Sequence, residues 1–331
     1  MTPAARVREA RELAPAEIRF LRDRPGSLWQ DPEWARFMRA TGNGCFWAVA
    51  EDDAGPLGLA LVTEKRRRFG LSYAYVGRGP IAATREAGRA ILRHLAGRGY
   101  LYVQIDPPAG FDPGDLKLRP VRRGIHPPDT IVVDLERTEE AMLASFSATA
   151  RRHIRKAEAA GCDCSVRKGS GGPDFAAFMR LMELTSRRKG LRVFGERYYA
   201  AMLETLDAEL FVARVGGEAS SAAILLRHRE LALYYYGASD PEASELSSSY
   251  FLQWTMMRRA RALGCRGYDL CGVSPPGARG HYLEGVTAFK ERFGGARVAL
   301  GSSCAYVGKP LRYLAASAFK GGLRRTAPVP R

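Results

Sequence analysis

A lysine held between aromatics beside a glycine turn is the clearest chemical signal in this chain. The run Thr287-Ala288-Phe289-Lys290-Glu291-Arg292-Phe293-Gly294-Gly295 follows the apolar strand Tyr268-Asp269-Leu270-Cys271-Gly272-Val273. An ammonium fixed by its surroundings stabilises negative charge developing on a reacting oxygen, an effect worth about a hundred to a thousand in rate. Phe289 and Phe293 offer faces on which a nucleobase can stack. On spacing alone, a lone helical Lys is most often a surface residue. Upstream, in Ala150-Arg151-Arg152-His153-Ile154-Arg155-Lys156-Ala157, Arg151 and Arg155 are four apart, as are Arg152 and Lys156. Two adjacent rows of cations then share one helical face without an intervening acid. Such a face repels itself, so bound phosphates are the sharper reading beside that of a merely solvated surface. Asp106, in Ile105-Asp106-Pro107-Pro108, is a candidate to orient or deprotonate an amine, or equally an Asp that opens a proline turn.

Other chemistries find no pattern. Cys45, Cys162, Cys164, Cys265, Cys271 and Cys304 show neither zinc-site spacing nor a dense disulfide framework, so reduced structural thiols are expected. His94, His126, His153, His228 and His281 are scattered, read as structural or surface residues, and suggest no Ser-His-Asp or Cys-His system. No metal and no nucleotide cofactor is expected.

The elements that must position these residues repeat. Phe46 to Ala50, Leu57 to Thr63 and Leu71 to Val76 read as three strands joined by turns, and Leu210 to Val215, Ser221 to Leu226 and Leu231 to Tyr236 read the same way. Each set leads through a helix into a further strand, at Tyr100 to Ile105 and at Tyr268 to Leu270, with the copies roughly 160 to 170 residues apart. The reading is an α/β (α+β) fold with two tandem GNAT-like acyltransferase domains and a cleft between them. The first is expected over 1–137, completed by a C-terminal helix in 306–331, and the second over 138–305. With 331 residues, 46% of them hydrophobic, the chain is long enough for two cores. Its 51 Lys and Arg against 35 Asp and Glu give a net charge of +16, which suits RNA, an anionic membrane surface or a phosphorylated substrate, or reflects an Arg-rich codon usage. No apolar leader precedes Arg6, and no run of about 18 uncharged apolar residues occurs, so a cytoplasmic protein, at most peripheral at the inner face of the plasma membrane, is expected.

Taken together, the Phe289-Lys290 pair, Tyr234-Tyr235-Tyr236-Gly237, and the Arg151, Ile154, Ala157 and Gly161 pattern of the basic helix resemble the Fem family of tRNA-dependent peptidoglycan interpeptide-bridge aminoacyltransferases. The resemblance covers nearly the whole chain. Arg155 to Glu183 reads as helix, strand and helix around the Gly169-Ser170-Gly171-Gly172 turn, which matches the short type without a coiled-coil arm. What the resemblance implies is transfer of an amino acid from aminoacyl-tRNA, as co-substrate, to a stem-peptide amine of a UDP-linked or lipid-linked muropeptide. It implies that Phe289 and Lys290 meet the terminal nucleotide and the transferring carbonyl. Arg151, Arg152, Arg155, Lys156 and Phe293 would contact the tRNA, and Asp106 would lie near the acceptor. Tyr102, Tyr198 and Tyr236 match tyrosines that line the acceptor pocket, and Tyr73 to Pro80 matches the strand and R-G-P turn that carries Arg78. Two acceptor-binding cations are missing, since their positions hold Met38 and Phe194; Arg36, Arg39 and Arg192 lie close by as replacements. A monomer is expected.

Three alternatives remain on the sequence. Missing cations fit a small-molecule amine acceptor in specialised metabolism. Arg85-Glu86-Ala87-Gly88-Arg89-Ala90 spells the R-x-x-G-x-A pattern of an acetyl-CoA-dependent N-acetyltransferase, although it sits well after the preceding strand and the second copy lacks it. A non-catalytic RNA-binding module would use the charge and leave Lys290 idle.

Overall fold

The computed structural model describes residues 5–66, 72–121, 124–190, 193–310 and 313. Two compact units divide the chain, Met1–Pro128 with Ala299–Arg331, and Asp129–Val298. In the first, β1 (Arg6–Ala10), α1 (Pro15–Arg22) and α2 (Pro32–Ala40) lead into a meander of β2 (Gly44–Asp52), β3 (Gly55–Arg66) and β4 (Ser72–Gly77). A short β5 (Ile81–Ala82), α3 (Arg85–Gly97), β6 (Val103–Asp106) and β7 (Arg119–Pro120) follow. The second unit opens with β8 (Asp129–Asp134), α4 (Glu139–Ser145), α5 (Ala148–Ala159), β9 (Asp163–Arg167), α6 (Gly172–Lys189) and α7 (Glu196–Thr205). Its meander is β10 (Ala208–Val215), β11 (Glu218–His228) and β12 (Leu231–Ser239), after which come α8 (Ser248–Ala262), β13 (Gly267–Asp269), α9 (Glu284–Glu291) and β14 (Ala296–Ala299). Finally β15 (Cys304–Tyr306) joins the first sheet.

The repeat read from the sequence is a repeat of topology. One sheet runs β1-β2-β3-β4-β6-β15-β7 with β5 on the side of β3, and the other runs β9-β10-β11-β12-β13-β8-β14. In each, an antiparallel meander ends in a helical crossover to a parallel strand, β4 to β6 through α3 and β12 to β13 through α8. An antiparallel strand then covers that parallel strand, β15 in one sheet and β8 in the other. Those two covering strands set the domain limits. Because β8 pairs with β13 and β15 pairs with β6, the divisions fall after Pro128 and Val298 and differ from the expected 137 and 305.

Alternation of side chains along the strands builds each core. Ala48, Ala50, Ala60, Val62, Ala74 and Val76 face Ile91 and Leu95 of α3, while Phe211, Ala213, Ala223 and Leu225 face Leu252, Met256 and Ala260 of α8. Side-chain caps start several helices: Asp31 accepts from Glu33 N–H, Thr84 from Ala87 N–H, Thr138 from Ala141 N–H and Ser147 from Ala150 N–H. The cap at Ser147 separates two helices, since α4 stops at Ser145 and α5 starts afresh at Ala148. Beyond α5, Gly161 takes the left-handed conformation, β9 and α6 follow, and no helical arm intervenes. No helix among the described residues is long and apolar enough to cross a membrane. Arg192 lies outside the described residues, as does the expected C-terminal helix in 306–331 apart from 306–310 and Tyr313.

The glycine turn after α9 seats that helix on the second sheet. Gly294 and Gly295 have φ of 67° and 87°, and a Cβ on Gly295 would lie 2.6 Å from the Val132 carbonyl oxygen of β8. Gly295→Ala therefore meets both a left-handed penalty and a backbone clash, and about 2 to 4 kcal/mol of stability is expected to be lost, read as a lower urea midpoint.

Candidate active site

In the second unit, β13 is only three residues long because the chain turns out of the sheet after Asp269. The Asp269 carboxylate accepts hydrogen bonds from the Thr130 hydroxyl and, at 2.7 Å, from Cys271 N–H, and Cys271 adopts φ of 56°. Past this turn, the carbonyls of Cys271 and Gly272 each accept a hydrogen bond of 2.8 Å from Lys290 Nζ. Lys290 is only 6% exposed, and its ammonium lies 5.9 Å from the Tyr234 ring. One helical turn earlier, Thr287 Oγ1 accepts from Ser274 N–H at 2.8 Å and donates to Leu283 O. Thus α9 is latched to the loop after β13 at two successive turns, and an ammonium that would otherwise be costly to bury is held in a fixed direction.

Aromatic packing connects this lysine to the basic helix. Phe289 is half-buried and meets Tyr250 at 5.1 Å between ring centroids, and His153 of α5 stacks on Tyr250 at 4.6 Å. The Arg292 guanidinium donates to the Tyr250 hydroxyl, while the Arg292 carbonyl accepts from Ser147 N–H at 2.9 Å, so the end of α9 docks on the cap of α5. His153 Nδ1 lies 2.7 Å from the Ser247 hydroxyl, and burial together with the charges of Arg152, Arg292 and Lys156 pushes its pKa down. On α5 itself, Ala150, Ile154 and Ala157 are buried, while Arg152, Arg155 and Lys156 are exposed with no carboxylate partner among the described residues. Elsewhere on the surface, Arg36, Arg93 and Arg187 each pair with an acid.

Several sequence assignments need correction. Phe293 is fully buried between Phe146, Tyr250 and Phe289, so it packs the core beneath the site and does not contact a nucleic acid. Arg151 is folded back on the carbonyls of Ala144 and Phe146 and closes the end of α4, leaving the other three cations as the free face. Arg78 is buried in the first unit and donates to the carbonyls of Gly301 and Pro127, which makes it a clamp on two loops and not an exposed acceptor ligand. Arg36 pairs with Glu33, and Arg39 with Glu12 and the Arg11 carbonyl, so neither is an unopposed replacement for the missing cations. Arg192 lies outside the described residues.

Tyr198 and Tyr236 are brought together, their hydroxyl oxygens 3.5 Å apart, and Phe194 stacks on Tyr198 at 3.7 Å. Burial pushes both phenols above their ordinary range, so both remain protonated donors. A bulge opposite Ile224 and Leu225 shifts the register at Tyr235, and this sends Tyr234 to the side of Lys290 and Tyr236 to the side of α7. Met38 is a core residue of α2. Tyr102, in the first unit, stacks on Tyr73 at 5.0 Å and meets Tyr313 edge-on. A cavity of about 510 Å³ opens at the start of α3 beside Arg85, Gly88 and Phe111; Arg85 pairs loosely with Asp112 there, and Arg24 lies over Phe20.

Asp106, at the end of β6, is fully buried and cannot touch an acceptor amine itself. Its Oδ2 accepts from the Tyr75 hydroxyl at 2.6 Å and His126 N–H at 2.9 Å, and its Oδ1 from the Ser303 hydroxyl at 2.5 Å. The His126 ring lies between Tyr75, whose oxygen is 2.6 Å from Nδ1, and Trp29 at 4.2 Å. Sequence reading treated His126 as structural or surface and did not join Tyr75 and Ser303 to Asp106, since separations of 31 and 197 residues leave no local pattern. No group of three or more His, Cys, Asp or Glu among the described residues is arranged to hold a metal ion.

A tandem acyltransferase fold with a fixed buried ammonium at the end of a crossover strand defines a class, and comparison with known proteins narrows it. Residues 144–291 match the acetyltransferase (GNAT) domain family. Lipid II:glycine glycyltransferase of Staphylococcus aureus is 24% identical, with 83% of this chain and 87% of that protein aligned. The crystal structure of FemX superposes with a TM-score of 0.74 at 19% identity, covering 93% of this chain and 99% of that one. A tandem GNAT protein from the clavulanic acid biosynthesis pathway gives 0.55 at 12% identity, covering 92% and 99%. The chain has a tandem GNAT acyltransferase fold, similar in sequence to lipid II:glycine glycyltransferase and in fold to FemX.

Burial raises the Asp106 pKa, but the hydrogen bonds and charge of His126, with those of Ser303 and Tyr75, outweigh it and hold the carboxyl at about 2. Burial also lowers the pKa of His126, against the pull of Asp106. Both groups have depressed folded-state values, so both contribute stability at neutral pH that is lost on acidification, His126 first below its unfolded value of about 6.5 and Asp106 between about 4 and 2. Asp106→Asn is expected to flatten the acid limb of stability below pH 4 by about 2 kcal/mol, measured as urea midpoints against pH.

Proposed function

We propose that this protein transfers an amino acid from aminoacyl-tRNA to the stem-peptide amine of a peptidoglycan precursor, forming an interpeptide bridge. The observation that carries the reading is the Lys290 ammonium, aimed by two backbone carbonyls and joined through Phe289, Tyr250 and His153 to a helix with an unpaired cationic face. The relative named lipid II:glycine glycyltransferase supports a lipid-linked acceptor and a working position at the inner face of the membrane.

The donor ester is already activated, so the protein has to position two reactants and stabilise one oxyanion. The acceptor nitrogen attacks the ester carbonyl, the C–N bond forms, the C–O bond to the ribose breaks, and a proton passes from nitrogen to solvent while the ribose oxygen gains one. Lys290 stabilises the charge on the carbonyl oxygen at the tetrahedral stage. Phe289 packs against the terminal adenine, and Arg152, Arg155 and Lys156 hold backbone phosphates. Tyr102, Tyr198 and Tyr236 serve the acceptor, with the Tyr198 and Tyr236 hydroxyls as donors to peptide carbonyls. Asp106 orders the His126 loop and acts on the acceptor only through it.

The test is transfer of labelled amino acid from a pool of aminoacyl-tRNAs to a muropeptide amine. Transfer is expected to be RNase-sensitive and to fall about a hundredfold or more in Lys290→Met, with tRNA affinity kept. No transfer to any cell-wall acceptor, with label passing to a small amine instead, would move the acceptor. Removing Arg152, Arg155 or Lys156 is expected to weaken tRNA binding and to lower the slope of log affinity against log salt by about one per cation, measured by filter binding at several salt concentrations.

A further inference from the structure

We infer that Asp269 is the positioning residue for Lys290, acting through the left-handed turn at Cys271. The inference rests on the proposed role of Lys290 at the transferring carbonyl. In a pleated strand, successive carbonyls point to opposite sides, so two neighbours cannot both reach one ammonium. Here the carbonyls of Cys271 and Gly272 both lie 2.8 Å from Lys290 Nζ. The backbone must break its pleat between them, and it does so at Cys271, with φ of 56°. A residue with a Cβ resists that conformation by about 1 to 2 kcal/mol. The Asp269 carboxylate offsets this by accepting Cys271 N–H at 2.7 Å, two residues along, in the manner of an Asx turn.

The rest of the loop is fixed independently of Asp269. Leu270 N–H donates to Ile131 O at 2.9 Å, Val273 N–H donates to Asp129 O at 2.9 Å, and Ser274 N–H is held by Thr287. Between those fixed points, the Asp269 bond holds the Cys271 N–H while the carbonyls of Cys271 and Gly272 meet Lys290. The Thr130 hydroxyl donates to the same carboxylate oxygen, so the carboxylate is itself held from β8. Loss of Asp269 would let the Cys271 peptide relax toward an extended conformation, turn one carbonyl away, and leave the ammonium loosely aimed.

The experiment compares Asp269→Ala, Asp269→Asn, Cys271→Gly and the Asp269→Ala/Cys271→Gly double variant. Two readouts are used, kcat and KM for transfer from aminoacyl-tRNA, and the rate at which an acetylating amine reagent modifies Lys290, followed by mass spectrometry. Asp269→Ala is expected to lower kcat about thirtyfold with KM changed less than about threefold, and to speed Lys290 labelling about tenfold. Asp269→Asn keeps an acceptor oxygen and is expected to stay within about threefold of wild type in both. Glycine adopts positive φ without strain, so the double variant is expected to recover about tenfold in kcat and most of the protection, and Cys271→Gly alone to remain near wild type.

Unchanged kcat and labelling in Asp269→Ala would overturn the inference, as would losses that glycine at 271 fails to repair. If Asp269→Ala does not fold, Cys271→Val, which resists positive φ, takes its place with the same expected losses, and wild-type behaviour there overturns the inference equally. A wild type without transfer activity would remove the proposed role of Lys290, and the labelling rates would still decide whether Asp269 positions it.

Discussion

An ammonium taken out of water is the constraint to which the rest of the second unit answers. Desolvating it costs several kcal/mol unless its donors are satisfied, and in Lys290 they are turned onto carbonyls of a loop that has left its strand. That need explains why β13 is so short, why Cys271 is left-handed, and why Thr287 and Lys290, three apart on α9, both face the loop. A lysine kept only for solubility would carry its charge to the surface, as Lys156 does. On the proposed role, holding it inside presents a preorganised charge, because an ammonium already aimed needs no reorientation when negative charge develops.

Both units use the end of the crossover strand in a related way. Asp106 ends β6 and Asp269 ends β13, and each carboxylate accepts a backbone N–H from a loop, at His126 in one and Cys271 in the other. In open α/β sheets the carboxyl ends of the strands are where function gathers, and here each is organised by a buried or half-buried acid. The similarity ends at the chemistry: in the second unit the turn presents carbonyls to a lysine, whereas in the first it holds an imidazole beside Tyr75 and Trp29. Left-handed residues other than glycine accompany these sites, with Arg78 at the loops around His126, Ser247 against His153 and Cys271 beneath Lys290.

The sequence made the architecture legible where the signal was periodic and local. Strand alternation and the repeated strand-helix-strand order placed both meanders and both crossovers, and the Phe289-Lys290 pair beside Gly294-Gly295 drew attention to a lysine that the structure buries. What stayed illegible was which cation spends its charge on its own backbone. Arg151 and Arg155 are equivalent in a helical pattern, yet one closes α4 and the other faces solvent, because the break at Ser147 leaves carbonyls only near Arg151. Phe293 read as a binding aromatic because spacing does not say which flank of a lysine faces inward. The Asp106, His126, Tyr75 and Ser303 cluster was hidden for another reason, since its members come from segments that only tertiary folding brings together. Likewise the strands that bound the units, β8 and β15, are short and carry no local mark of which sheet they join.

The central claim is that Lys290 is aimed at the carbonyl of a donor ester. A crystal structure with a short RNA 3′ end bearing an aminoacyl amide in place of the ester tests it most directly. The account predicts the amide oxygen about 3 Å from Lys290 Nζ, with the adenine against Phe289. An analogue bound with its carbonyl elsewhere, away from Lys290 Nζ, would contradict it.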